Sequence, residues 1–194
     1  MKARHLARLG SLITVSLLLA ACTGHQTGAK NDSHRRLLKM ESVVGKTLKQ
    51  GIDGAVDASL GVSPVDATDQ HRYIDVESAE RYTICFQQPV PEMQAVKFYV
   101  VPASTRCPRS IGGKGAASRI PGVTGKRAED AKREILYAGY QPARIRFYAA
   151  ANKASEVKAS SLGGLNVCDQ HPEKGAEVVP TATVKLFVGA KCRQ

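Results

Sequence analysis

Ile120-Pro-Gly-Val-Thr-Gly-Lys-Arg-Ala-Glu-Asp-Ala-Lys-Arg-Glu-Ile-Leu-Tyr-Ala-Gly-Tyr140 is the stretch on which the reading of the fold turns. Within it Ala128, Ala131, Ile135 and Ala138 recur at intervals of three, four and three, the spacing that lines one face of an α-helix with apolar side chains. Glu129 and Arg133 stand four apart on the exposed side, and Gly139 supplies the stop. Downstream, Ala143-Arg-Ile-Arg-Phe147 alternates with period two, as expected of a half-buried strand. Asn166-Val-Cys168 and Thr183-Val-Lys-Leu-Phe-Val188 read as two more strands. Between them Pro172-Glu-Lys-Gly175 is a turn, because Pro fixes φ and Gly tolerates positive φ.

The same order of features stands earlier in the chain. Val43-Val-Gly-Lys-Thr47 is similar to Val123-Thr-Gly-Lys-Arg127, Thr83-Ile-Cys-Phe-Gln-Gln-Pro89 to Asn166-Val-Cys-Asp-Gln-His-Pro172, and Ala95-Val-Lys-Phe-Tyr-Val100 to Thr183-Val-Lys-Leu-Phe-Val188. The offset between matched residues grows slowly, as small loop insertions require, so the sequence predicts two copies of one module. In the first copy Leu48, Ile52, Ala55 and Ser59 give the helical face, and Thr47 with Gln50 has the spacing of a capping box. Gly51 and Gly54 weaken that helix, each by about 1 kcal/mol relative to Ala.

Composition bounds the rest. The 194 residues carry 28 Lys and Arg against 17 Asp and Glu, 43% hydrophobic and 5% aromatic residues, and no Trp. That is enough apolar material for small packed cores and too little chain for a polytopic membrane protein. The long apolar run, Leu12 to Ala21, follows Lys2, Arg4 and Arg8 and is too short to span a bilayer, so residues 1–21 read as a signal peptide. Leu19-Ala20-Ala21-Cys22 resembles the lipobox of bacterial lipoproteins, which makes Cys22 the expected lipid anchor and mature N-terminus. The alternative is an ordinary signal peptide with a chance Cys. Export places the chain in an oxidising compartment, where Cys85, Cys107, Cys168 and Cys192 pair. Four cysteines allow three connectivities. The repeat selects Cys85 with Cys107 and Cys168 with Cys192. Free buried thiols and a zinc site are the competing readings, and no Cys pair has the short spacing of a structural zinc site.

Ile120-Pro-Gly-Val-Thr-Gly125, a helix with Glu129-Asp-Ala131 near its start and Ala138-Gly-Tyr140 at its end, Gln170-His-Pro-Glu-Lys-Gly175 and the closing strand together resemble a PASTA domain. The resemblance covers 120–192 well and 43–107 less well, where the turn glycine after Pro89-Val-Pro91 is missing. The added Cys pair and Asp66-Ala-Thr-Asp-Gln70 are similar to secreted PASTA-like proteins of Gram-positive bacteria. The fold this resemblance implies is α+β: two small modules, each one helix packed on a three-stranded sheet with one disulfide. The expected organisation is a signal peptide (1–21), a polar leader (22–42), a degenerate first module (43–107), a flexible basic linker (108–119) and a second module (120–192). The linker, Pro108 to Arg119, reads as a spacer that leaves the modules without a fixed mutual orientation.

The resemblance implies an extracytoplasmic, membrane-anchored protein that recognises peptidoglycan fragments or an anionic wall polymer; the alternative is an interaction protein that docks an envelope enzyme such as a wall synthase or kinase. Without residues 1–21 the net charge is +8. The first copy has six basic and eight acidic residues and the second eleven and seven, so the linker and leader carry much of the excess. Such connectors hold a chain near anionic lipid or wall polymer by screened attraction. Arg144 and Arg146 are the candidate ligand contacts, expected on one sheet face where planar donors grip a carboxylate. No enzyme is expected: Gly112-Gly-Lys-Gly115 lacks phosphate-loop spacing, and no nucleophile motif occurs. No cofactor, metal or nucleic acid is expected; the high pI of 9.6 stands beside an export signal and few aromatics.

Overall fold

The structure is a computed structural model that describes residues 40–192. Its first unit contains helix α1 (Leu48–Asp57) and strands β1 (Gly61–Asp66), β2 (Tyr82–Val90) and β3 (Ala95–Pro102). The sheet order is β1-β3-β2, with β1 parallel and β2 antiparallel to β3. Helix α2 (Ala128–Tyr137) opens the second unit, followed by β4 (Ile145–Ala149), β5 (Asn152–Val157), β6 (Asn166–His171) and β7 (Val184–Gly189). Its order is β5-β4-β7-β6, in which β4-β7-β6 repeats the directions of β1-β3-β2. The expected three-stranded sheet is therefore corrected to four strands in the second unit. Strand β5 is polar and exposed along almost its whole length, so it carries no apolar alternation to read. It joins the sheet as an edge, through a hairpin with β4.

The same bonds tie the start of each unit to its sheet. Gly45 N–H donates to Ile84 O at 2.8 Å and Gly125 N–H to Val167 O at 2.7 Å; Ile84 N–H and Val167 N–H return bonds to Lys46 O and Lys126 O at 2.9 Å. Gly45 and Gly125 hold φ of +84° and +83°, the left-handed region in which a Cβ is costly. Gln87 Oε1 accepts from Val43 N–H at 2.9 Å and Gln170 Oε1 from Val123 N–H at 2.7 Å. The matched sequence segments are thus clamps that close a turn over a strand end. Each sheet also bulges at its first cysteine, between Ile84 and Phe86 and between Val167 and Asp169. A bulge re-aims one side chain, and here that side chain is a disulfide partner. Cys85 is bonded to Cys107 and Cys168 to Cys192, two disulfides among the described residues.

Helix α1 starts with the capping box expected of Thr47 and Gln50. It buries Leu48, Gly51 and Ala55; Ser59 lies beyond its end at φ +56°, exposed, and Leu60 is buried instead. Ser59 on the apolar face is corrected because the helix stops at Asp57. Gly51 has a positive reason to be glycine: a Cβ there would overlap Ile84 Cδ1 and stand 3.2 Å from the Phe98 ring. Close helix–sheet approach offsets its poor helix propensity. On α2 the buried residues are Ala128, Ala131, Ile135 and Leu136, and they meet Ile145, Phe147, Val167, Val184, Leu186 and Val188 in one core. Arg133 pairs with Asp130 rather than with Glu129.

The segment 108–119 departs from the flexible spacer expected of it. Gly112 N–H donates to Ala67 O at 2.9 Å, Asp69 N–H to Gly113 O at 3.1 Å, and Gln70 Nε2 to Ala116 O at 3.0 Å. Backbone groups that would be solvated in a spacer find partners in the insertion between β1 and β2, which sequence composition cannot show. The two units also meet. Tyr73 of the first packs against the core of the second, and Tyr137 of the second packs against the core of the first. Tyr73 N–H donates to Gly139 O at 2.9 Å and Tyr137 Oη to Arg81 O at 3.0 Å. The Tyr137 ring stands edge-on to Tyr82 at 5.2 Å and under the Arg81 guanidinium at 3.6 Å. Free mutual orientation of the units is corrected by this junction.

Candidate functional site

Helix α2 covers one face of the second sheet, and strand periodicity sends alternate residues to the other. Ile145, Phe147, Val184, Leu186 and Val188 point to the helix and are buried. Arg146 and Tyr148 of β4, Lys185 and Phe187 of β7, and Asp169 and His171 of β6 alternate with buried positions and stand at or near the surface. Register places Tyr148 beside Phe187, with ring centroids 5.9 Å apart and 35° between planes. Lys153 Nζ lies 4.7 Å over the Phe187 ring and 3.1 Å from Asp169 Oδ2. Ala150, Ala151, Lys153, Cys168, Asp169, Phe187 and Lys191 line a cleft of about 450 Å³ beside the disulfide.

This arrangement offers an aromatic floor and charged walls. An aromatic face takes apolar C–H surface, while ammonium and guanidinium groups attract a carboxylate or phosphate. The wall charges are only lightly committed: the Lys153–Asp169 side chains are 64% and 54% exposed, and an ion pair so exposed is worth about 0–1 kcal/mol. A ligand can exchange for either partner at little cost.

Arg144 and Arg146 do not stand together as expected. Arg144 belongs to a 3₁₀ turn, Pro142–Arg144, that precedes β4. Only Arg146 lies on the strand, where its guanidinium is 3.2 Å from Glu156 Oε1 of β5. The strand begins two residues later than the alternation suggested, because Pro142 opens a turn there. Arg146 remains on the open face; Arg144 is corrected to a turn residue. Tyr148, Lys153, Asp169 and Phe187 were not singled out by sequence. Lys185 and Phe187 could have been, since they alternate with Val184, Leu186 and Val188.

In the first unit Lys97 and Tyr99 take the positions of Lys185 and Phe187, and both are half-buried. Ala67, Cys85 and Val101 form a buried cluster against which Tyr99 and Phe86 pack, and Tyr99 Oη donates to Gln88 Oε1 at 2.8 Å. Ala67, the first residue after β1, thus gives Tyr99 a packing partner beside the disulfide.

An ion pair is buried between the end of β1 and the insertion between β1 and β2. Arg72 Nε and Nη2 each lie 3.0 Å from the Asp66 carboxylate, with both side chains almost wholly inaccessible. Arg72 N–H and the Thr68 backbone and hydroxyl also donate to Asp66, and Arg72 Nη1 reaches Ser118 Oγ at 2.9 Å. Burial pushes the Asp66 carboxyl up, but the Arg72 hydrogen bonds and charge, with Thr68, outweigh it and hold the carboxyl below its ordinary value. These groups brace the junction. Among the described residues no cluster of three or more His, Cys, Asp or Glu is placed to hold a metal, and no helix is long and apolar enough to cross a membrane. The segment expected to be a signal peptide, residues 1–21, and the expected lipid anchor Cys22 lie outside the described residues.

Comparison with known proteins gives no match among curated proteins and none among solved structures. PASTA domains are generally linked to binding of peptidoglycan or to penicillin-binding proteins and kinases. The model of that family matches residues 118–190, which span α2 and the whole four-stranded sheet, so a PASTA domain is found at residues 118–190 of this chain.

Proposed function

We propose that the chain is a non-enzymatic, extracytoplasmic binding protein, lipid-anchored through Cys22, that recognises peptidoglycan or an anionic wall polymer. The observation that carries this reading is the PASTA domain at 118–190 together with its open sheet face, where Tyr148 and Phe187 are framed by Arg146, Lys153, Lys185 and Asp169. In this reading the aromatic pair takes the apolar side of a sugar or peptide, and the cations take stem-peptide carboxylates. The first unit, a degenerate member of the same family, braces the second, since Tyr99 of its equivalent face is packed and hydrogen-bonded within the unit and its charge is net acidic. Leaving an aromatic pair and a cleft open beside an exposed edge strand favours ligand over an intramolecular role.

Pelleting of the chain with insoluble peptidoglycan tests it. Binding should weaken about tenfold or more for Tyr148→Ala plus Phe187→Ala, the loss typical of truncating a central aromatic contact. Arg144→Ala should bind like the parent. Failure of the parent to pellet, or a double variant that pellets equally well, overturns the assignment.

A further inference from the structure

From Met93 to Ala128 the chain carries seven Lys and Arg and no Asp or Glu. Arg106, Arg109 and Lys114 of this stretch sit exposed on one loop, and among the described residues none of the three has an ion-pair partner. In a free linker such charges would be a diffuse cloud. Here the loop is fixed by its bonds to Ala67, Asp69 and Gln70 and by the disulfide at Cys107. It encloses an open cup of about 670 Å³, lined by the three cations with small and hydroxyl residues. The carboxylate that touches the loop, Asp69, has Oδ1 occupied by Gly115 N–H at 3.2 Å.

One apolar side chain interrupts this polar surface. Ile111, 49% exposed, stands at the turn between Arg109 and Lys114, just before Gly112 at φ +73°. A phosphate-rich polymer would engage the cations and leave Ile111 in water. A bilayer interface engages both, with anionic headgroups against the cations and the isoleucine in the headgroup–acyl boundary. We propose that residues 106–114 form a docking loop for an anionic lipid surface. The loop shares no residue with the open face of the second sheet, so the chain contacts membrane and wall through separate surfaces.

The test is vesicle co-sedimentation of the chain from residue 22 onward, carrying Cys22→Ser so that no acyl group contributes. Phosphatidylcholine vesicles containing about one third phosphatidylglycerol should bind the chain, and pure phosphatidylcholine should not. Arg109→Gln plus Lys114→Gln should weaken binding about 30-fold, from about fivefold per cation near such a surface. Ile111→Ser should weaken it about fivefold. All variants should keep both disulfides and pellet with peptidoglycan like the parent, which separates this proposal from the wall-binding one. No binding to the mixed vesicles overturns it. So does an unchanged Ile111→Ser variant alongside tight binding of a glycerol-phosphate polymer, which would make the loop a polyanion site.

Discussion

Replacing Asp66 by Asn tests whether the buried ion pair braces the two units. The carboxylate accepts from five donors: Arg72 Nε, Nη2 and N–H, and Thr68 N–H and Oγ1, at 2.9–3.2 Å. Asn offers one oxygen in place of two. Its amide N–H₂ must then face either Arg72 Nη2 and Thr68 N–H or the three donors on the other side. Arg72 is left buried without a counter-charge, a change that costs about 3–5 kcal/mol. For a protein of this size that is a fall in Tm of about 6–20 °C. Thermal and urea unfolding with disulfides intact would measure it. Asp66→Val with Arg72→Met removes both charges while keeping an apolar stem, and should lie within about 1–2 kcal/mol of the parent. The pH dependence has a definite sign. The folded carboxyl lies below its ordinary value of 3.8, so its contribution is present above pH 3.8 and is lost as pH falls further. Asp66→Asn should lack that part of the acid limb. A single variant within about 1 kcal/mol of the parent, or a double variant as unstable as the single, would refute the bracing argument.

Gly139→Ala should destabilise by about 2 kcal/mol or more, because Gly139 holds φ +112° and a Cβ would come within 2.7–3.0 Å of the Arg72 side-chain carbons; unfolding in urea reads it. A non-reduced peptide map should show Cys85 linked to Cys107 and Cys168 to Cys192, and Cys85→Ser with Cys107→Ser should cost about 3 kcal/mol from reopening a loop with a separation of 22 residues. Cys22→Ser should release the protein to the medium or leave it unprocessed; a variant processed at the same site and still membrane-bound would remove the lipid anchor from the reading.

Local features of this chain were legible wherever a single element carries its own signal. The apolar stripe Ala128, Ala131 and Ile135 fixes helix α2, since one face must reach a core. Thr47 and Gln50 announce the start of α1 by satisfying its free N–H groups. The spacing of the repeated segments pairs the cysteines, because matched positions in matched strands meet matched partners. Partners distant in sequence left no such signal. Strand β5 is polar because an edge needs only backbone bonds, and Arg144 alternates with Arg146 although Pro142 holds it in a turn. Gln87 and Gln170 look like ordinary strand residues until their amides are seen closing a turn 44 and 47 residues away. Nothing in the sequence marks Asp66 and Arg72 as a pair, and only folding buries them and sets Arg72 against Gly139 and Ser118. The linker's glycines and cations suggest a spacer; its backbone partners lie in Ala67, Asp69 and Gln70, so its fixed shape is a property of the packed chain alone.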